Sequence, residues 1–405
     1  MRKNVKHSFR FFYFILLVVV CSCTPEENNS KKEKISSAFV YGFRMEQPND
    51  KNYYLGVFNE LVEVLDIKDA TKLGPNRRVW SYKEHPYVWN ADSSMITKWH
   101  VDKLDLSLKE SKSISVAEFG IAGDMGEPIF YSDSMAFFFA LREGKIVEFN
   151  PEVMTITAVH DVEPIQFDGD EEGVWYDAWN KYVIHDKIIM PIGFIAGPNW
   201  TLPNGAMVAV FEPAKLKLTY HIDQRLQTCF YLSPRDGDTL YIVPGYNLDA
   251  EVHYSSMENH LPTQNLLRLN VDGSFDQNFE LDLSAALDSP LAVYDIISVI
   301  DQKALVLWRE GDEWPTDPQN RYDNFYEQVR YSVIDIRTKE VKPFTTLDQY
   351  AGLTALQVID GYNCYMTILK DEPDMEILLR QNSLYDYTEV TRLKGGSVRM
   401  MKRLW

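Results

Sequence analysis

From Glu63 onward the chain repeats one short theme: apolar residues alternate with polar ones, meet Asp, Asn or Glu, and resume after a turn. Seven segments carry it: EVLDIKDATKL from Glu63, KLDLSLKESKSISV from Lys103, KIVEFNPEVMTITAV from Lys145, MVAVFEPAKLKLTYHI from Met207, LLRLNVDGSFDQNFEL from Leu266, YSVIDIRTKEVKPF from Tyr331 and EILLRQNSLYDYTEV from Glu376. Asn150-Pro151, Glu212-Pro213 and Asp272-Gly273 are turn formers, so each segment reads as two short antiparallel strands. A further β-rich run precedes most pairs, at 135–141, 187–195, 239–243, 304–308 and 365–369. Units of three or four strands, each about 40 to 65 residues long, need neighbours to cover their apolar faces, which predicts an all-β chain folded as a β-propeller. Helical periodicity is missing throughout. Seven blades fit best, with six or eight as alternatives and a stack of β-sandwiches as the competing architecture. SAFVYGFRM from Ser37 and SVRMMKRLW from Ser397 are expected to share one blade, so that the N- and C-terminal strands close the ring and leave no open sheet edge.

The spacing of the units is uneven. Three long stretches, 196–204, 245–264 and 309–327, fall at the same place, between the upstream strand and the strand pair. Long connections in a compact domain are usually functional or disordered, and loops at one position in every blade emerge on one face. These hold Trp200; then Tyr246, His253, Tyr254, Met257 and His260; then Trp314, Arg321, Tyr322 and Asp323. Rings beside a few hydrogen-bonding groups suit a planar or sugar-like small molecule, or a protein partner. The alternative is that the rings only pin the loops to the rim.

The first ten residues are a different kind of sequence, with Arg2, Lys3, Lys6 and Arg10 and no acid, followed by ten apolar residues at 11–20. That is the layout of a secretory signal, and ten residues fall well short of the roughly 20 needed to span a bilayer. Val20-Cys21-Ser22-Cys23 resembles the lipobox of bacterial lipoprotein precursors, in which the cysteine is acylated and becomes the first residue. An ordinary signal peptide with incidental cysteines is the alternative. Multiple acylation at Cys23 would make a lasting anchor, although the domain behind it need not touch lipid. Thr24-Pro25-Glu26-Glu27-Asn28-Asn29 resembles the surface-export signal of Bacteroidota lipoproteins, against the alternative of a plain linker facing the periplasm. The chain therefore divides into a signal peptide at 1–22, a polar tether at 23–36 and a propeller at 37–405.

Composition narrows the partners. The chain has 41 Lys and Arg against 59 Asp and Glu, a balance of −18, and loss of residues 1–22 removes four of the positive charges to give −22. Such a charge repels nucleic acid and anionic lipid, so no nucleic-acid role is expected. Two thiols follow the signal, Cys229 and Cys364, both in apolar segments that fit buried free cysteines; an exported protein also allows them to pair.

Chemical motifs are sparse. Asp168-Gly169-Asp170-Glu171-Glu172-Gly173 matches the first half of a calcium loop, with Asp168, Asp170 and Glu172 as ligands, but the twelfth position is Trp179 where a bidentate glutamate is required. A solvated acidic turn is the competing reading. His253 and His260 stand near Glu251 and Glu258 without a diagnostic metal spacing. The motifs HExxH, GxSxG, GxGxxG, CxxC and the Walker loop are absent after the signal, and no cofactor is expected.

MITKWHVDKLDLSLKESKSISVAEFG, GEPIFYSDSMAFFFAL and KIVEFNPEVMTITAV, behind a lipobox and an acidic tether, resemble the uncharacterised β-propeller lipoproteins of Bacteroidota and myxobacteria. The resemblance is clearest over about residues 85 to 225. Some of that group accompany TonB-dependent outer-membrane transporters and iron-siderophore uptake, which the resemblance implies as a role here. A net acidic protein matches an anionic ferric catecholate poorly. The reading that results is a monomeric, lipid-anchored cell-envelope binding or docking protein, at the surface or in the periplasm, rather than an enzyme. The rivals are an enzyme with its site in the central channel and a rigid surface spacer.

Overall fold

Met-Ala-Phe-Phe-Phe-Ala-Leu at 135–141 shows no alternation because both faces of this strand are covered. Ala136, Phe138 and Ala140 pack into one cluster with Trp80, Tyr87 and Trp89, while Phe137, Phe139 and Leu141 pack into another with Ile188, Met190 and Phe211. The strand Ala206–Glu212 does the same, with Ala206, Val208 and Val210 on one side and Met207, Ala209 and Phe211 on the other. Sheets stacked face to face in this way build a ring.

The computed structural model describes residues 38–405 except 48–49, 59–69, 120–127, 142, 164–174, 178–180, 196–204, 227–230, 233–238, 244–264, 289–292, 310–328, 351–353, 360–361 and 395. It is a seven-bladed β-propeller, with six sheets of four strands and one of five. Blade two, from the inside outward, is Arg77–Tyr82, His85–Asn90, Met95–Val101 and Leu108–Ser115. Blade three is Ile129–Ser132, Met135–Ala140, Lys145–Asn150 and Thr155–Asp161. In blade four Trp175–Asp177 and Tyr182–Ile184 both pair with Lys187–Ile195, which is followed by Ala206–Glu212 and Lys217–Asp223. Blade five is Tyr231–Leu232, Tyr241–Val243, Asn265–Leu269 and Phe275–Asp282, and blade six is Val293–Ile300, Lys303–Arg309, Val329–Asp335 and Val341–Pro343. Blade seven is Thr354–Ile359, Tyr362–Leu369, Glu372–Ser383 and Asp386–Lys394.

Blade one closes the ring. Its innermost strand is the C-terminal Gly396–Arg403, paired antiparallel with Phe39–Gln47, then Asp50–Phe58 and Thr71–Gly74. The backbone is stitched again outside the strands, where Ala38 N–H donates to the Trp405 carbonyl at 3.3 Å and Leu404 N–H to that of Ala38 at 2.8 Å. Each adjacent pair of blades shares its own apolar cluster, including blades seven and one around Tyr41, Leu378 and Val398, and blades one and two around Val40, Val79 and Met400.

One expected strand pair is corrected. KLDLSL alternates like a strand, yet 102–107 is a turn and only Leu108–Ser115 is extended, paired with Met95–Val101. Local side-chain bonds win over alternation here: Asp102 accepts from Leu104 N–H at 2.7 Å, Asp105 accepts from Ser107 N–H at 2.9 Å, and Leu106 sits at φ 60°. Of the segment from Glu63, only the end, within Thr71–Gly74, is described. Among the described residues no helix is long and apolar enough to cross a membrane.

Candidate functional site

Strand direction fixes which connections share a face. In each blade the first and third strands run one way and the second and fourth the other. Links from second to third strand and from blade to blade therefore lie at one end of the ring, and the turns from first to second and third to fourth strand at the other. Lys103, in a third-to-fourth turn, accordingly reaches Glu84, in a first-to-second turn, at 2.6 Å. All three insertions run from second to third strand, in the consecutive blades four, five and six, so their roots share one end, the insertion face. The opposite end is the turn face.

The residues picked out within those loops, Trp200, Tyr246, His253, Tyr254, His260, Trp314, Arg321 and Tyr322, lie outside the described residues. So do the calcium candidates Asp168, Asp170 and Glu172, the lipidation candidate Cys23, and Cys229. Cys364 is on the second strand of blade seven, with its side chain outside the described set. What is described is the platform on which the loops stand.

That platform is braced between blades four and five by Arg225. Asp223 ends the outer strand of blade four opposite Ala206, the first strand residue after the first insertion. Its carboxylate accepts from Arg225 Nε at 2.9 Å and Nη2 at 2.8 Å, a two-pronged pair, and from Gln277 Nε2 at 3.0 Å. Arg225 reaches into blade five, donating to the carbonyls of Phe279 at 2.9 Å and Asp276 at 3.2 Å. Asn265, the first residue after the second insertion, donates to the Arg225 carbonyl at 3.0 Å and to Glu280 at 2.6 Å. One residue thus ties the base of the first loop to the base of the second, its guanidinium joining Asp223 to the outer strand of blade five and its carbonyl holding Asn265. Burial would raise the Asp223 pKa, but the hydrogen bonds from Arg225 and Gln277 outweigh it and hold the carboxyl below its ordinary value.

The third insertion has its own supports. Trp308, at the end of the strand leading into it, donates its indole N–H to Ser332 at 2.9 Å. Arg330, at its far side, stands near Lys370, whose pKa is lowered first by burial and then by that neighbouring cation, with Asp348 opposing. At the innermost strand of blade two, Arg77 donates to Asp92 at 3.0 Å and to the Pro75 carbonyl at 2.8 Å, while Asn76 donates to the other Asp92 oxygen at 2.9 Å. Among the described residues no three His, Cys, Asp or Glu side chains cluster as a metal site.

Sequence pattern alone missed Arg225 and its partners, which lie up to 54 residues apart. The one local signal is Asp223-Gln224-Arg225 directly after a strand, where Asp223 also accepts from Arg225 N–H at 2.9 Å.

No family profile and no curated protein matches this chain. Solved structures do. A 6-phosphogluconolactonase-like protein of Bacteroides fragilis is similar at 11% identity and a TM-score of 0.50, over 91% of this chain and 98% of its own. The β-propeller domain of the trilobed protease from Pyrococcus furiosus, at 11% identity, has a TM-score of 0.44 over 87% of this chain and 92% of its own. AztD from Citrobacter koseri, at 11% identity, has a TM-score of 0.38 over 91% and 97%. At such identities the likeness is one of fold alone.

Proposed function

We propose that this chain is a lipid-anchored binding protein of the bacterial cell envelope, whose insertion face captures a small-molecule or glycan ligand beside an outer-membrane transporter. The observation that carries the reading is that the roots of the three long insertions share one end of three consecutive blades, with the first two tied together by Arg225. A rigid ring that presents adjacent variable loops from a braced base is the usual build of a recognition surface. The anchor at Cys23 and the transporter rest on the lipobox and on the resemblance of 85–225 to envelope lipoproteins.

The test isolates the acylated protein from its native envelope and identifies co-purifying small molecules and proteins by mass spectrometry. It is repeated with 196–204, 245–264 and 310–327 replaced by short Gly-Ser turns. A ligand or transporter recovered with the intact chain and lost with the shortened one is expected. Equal recovery by both, or by neither, would sink the proposal. The anchor is tested separately: Cys23→Ala is expected to abolish labelling by radioactive fatty acid, and retained label rules the anchor out.

A further inference from the structure

Exposed apolar side chains scattered at random over a surface need no explanation, but their recurrence at one structural position in blade after blade does. Seven large ones are exposed among the described residues. Five stand on third-to-fourth-strand turns: Leu104 in blade two (45% exposed), Val153 in blade three (43%), Leu216 in blade four (50%), Val271 in blade five (64%) and Tyr385 in blade seven (52%). Val183 lies next to the first-to-second turn of blade four, at the same end. Ile222, near the end of an outer strand, lies toward the insertion face, most of whose connections fall outside the described residues. In blade six the corresponding turn carries Arg337, Lys339 and Glu340 instead.

These tips are held outward by their turns. Asn150 accepts from Glu152 N–H at 2.9 Å and Val153 N–H at 3.1 Å, and Asp272 accepts from Ser274 N–H at 3.0 Å. Leu216 itself adopts φ 51°, a conformation that displays its side chain at some backbone cost. A single apolar tip binds lipid weakly, so several in one plane are required, together with something that keeps the face close to lipid.

The chain supplies that second element. It joins the ring at Ala38 on the turn face, hydrogen-bonded to Trp405. Lys103 Nζ lies 4.8 Å over the Trp405 ring, which puts an amphipathic indole beside the same point. Fourteen residues, 24–37, separate Ala38 from Cys23, and these reach about 50 Å at full extension. Among its described residues the turn face mixes Lys103, Lys215, Arg337 and Lys339 with Asp102, Asp133, Glu152 and Asp301, and these form no basic patch for anionic lipid.

From these features we infer that the turn face rests on the surface of a zwitterionic phospholipid bilayer, with the tips of Leu104, Val153, Leu216, Val271 and Tyr385 dipping into the headgroup layer. The insertion face is thereby turned away from lipid. This rests on acylation of Cys23, and it adds an orientation to the binding reading above.

The experiment is amide hydrogen exchange on the full-length acylated protein, compared between phosphatidylcholine vesicles and detergent. Acylation is verified first by intact mass. Slowed exchange at 102–107, 151–154, 213–216, 270–274 and 384–385, with unchanged exchange in 196–204, 245–264 and 310–327, is the expected result. The variant carrying Leu104→Ser, Val153→Ser, Leu216→Asn, Val271→Ser and Tyr385→Ser should melt as the wild type does and lose the vesicle-dependent protection. Acylated protein with unprotected turns, protection on the insertions, or protection that persists in the variant each overturns the orientation alone. Missing acylation overturns the anchor reading and the orientation together, while ligand capture by the insertions is scored independently of both.

Discussion

Arg225 shows how much of a binding platform can hang on one side chain. Its pair with Asp223 is largely buried, the two side chains being 21% and 5% exposed. Removing one partner strands the other, so Asp223→Asn is expected to lower stability by about 2–3 kcal/mol, read as a shift in denaturant midpoint at constant slope. The Asp223 pKa is depressed in the folded protein, so its stabilisation is present above the unfolded value of about 3.9 and is lost as pH falls through the lower folded value. Wild type should therefore lose stability below about pH 4 more steeply than Asp223→Asn. Equal acid slopes would show that Asp223 contributes nothing to that loss. None of this could be read along the chain, because Arg225 meets its partners through a fold that first has to stack blade four on blade five; a carboxylate two residues before an arginine is too common a pair to single out. Lys98 repeats the lesson, buried and donating to the carbonyls of Pro151 at 3.2 Å and Glu152 at 3.1 Å in the next blade.

At the scale of the element, legibility followed burial. The second strands were visible as unbroken apolar runs because they are covered on both sides, and the outer pairs as alternation joined by turn residues. Apart from the closing strand of blade one, the innermost strands were not seen, since segments as short as Tyr231–Leu232 or Ile129–Ser132 are too brief to carry a period. A local signal nevertheless exists in the turns that follow them. Ser132-Asp133-Ser134, His185-Asp186-Lys187 and Ile300-Asp301-Gln302 place an aspartate in a tight turn, with positive φ at His185, Asp186, Asp301 and Gln302. The third-to-fourth turn of blade five makes a sharper demand: Gly273 has φ 89°, and a Cβ there would collide with Val210 of blade four. Gly273→Ala is expected to cost about 2–4 kcal/mol, strain and overpacking combined. Gly74→Ala, at φ 96° with nothing nearby, should cost only the strain, about 1–2 kcal/mol. Thermal melts of the two variants measure the difference, and equal costs would mean that the blade contact yields freely.

The whole ring was predictable, and its loops were not. Seven blades and their closure followed from counting strand pairs and from apolar segments at both ends of the folded part. The three insertions have no periodicity that fixes a path, so reading them gave a face and not a geometry. Closure itself is testable by truncation. Loss of 396–405 would uncover the edge of Phe39–Gln47 and take Val398, Met400 and Leu404 out of the clusters that join blade one to blades seven and two. Such a chain is expected to lose its single cooperative transition and to aggregate on concentration, as seen by calorimetry and size exclusion; an unchanged, cooperative melt would show that the clasp is dispensable.

The pairing of Gly396–Arg403 with Phe39–Gln47 also sets a timetable. The blade that synthesis begins first is the one it finishes last, and its central strand arrives only after all six others have been made. Until then the nascent chain is an open stack with two bare ends, and closing it requires contacts between its most distant segments, the slowest kind to form. A chain held in that unfinished state stays threadable to its final residues.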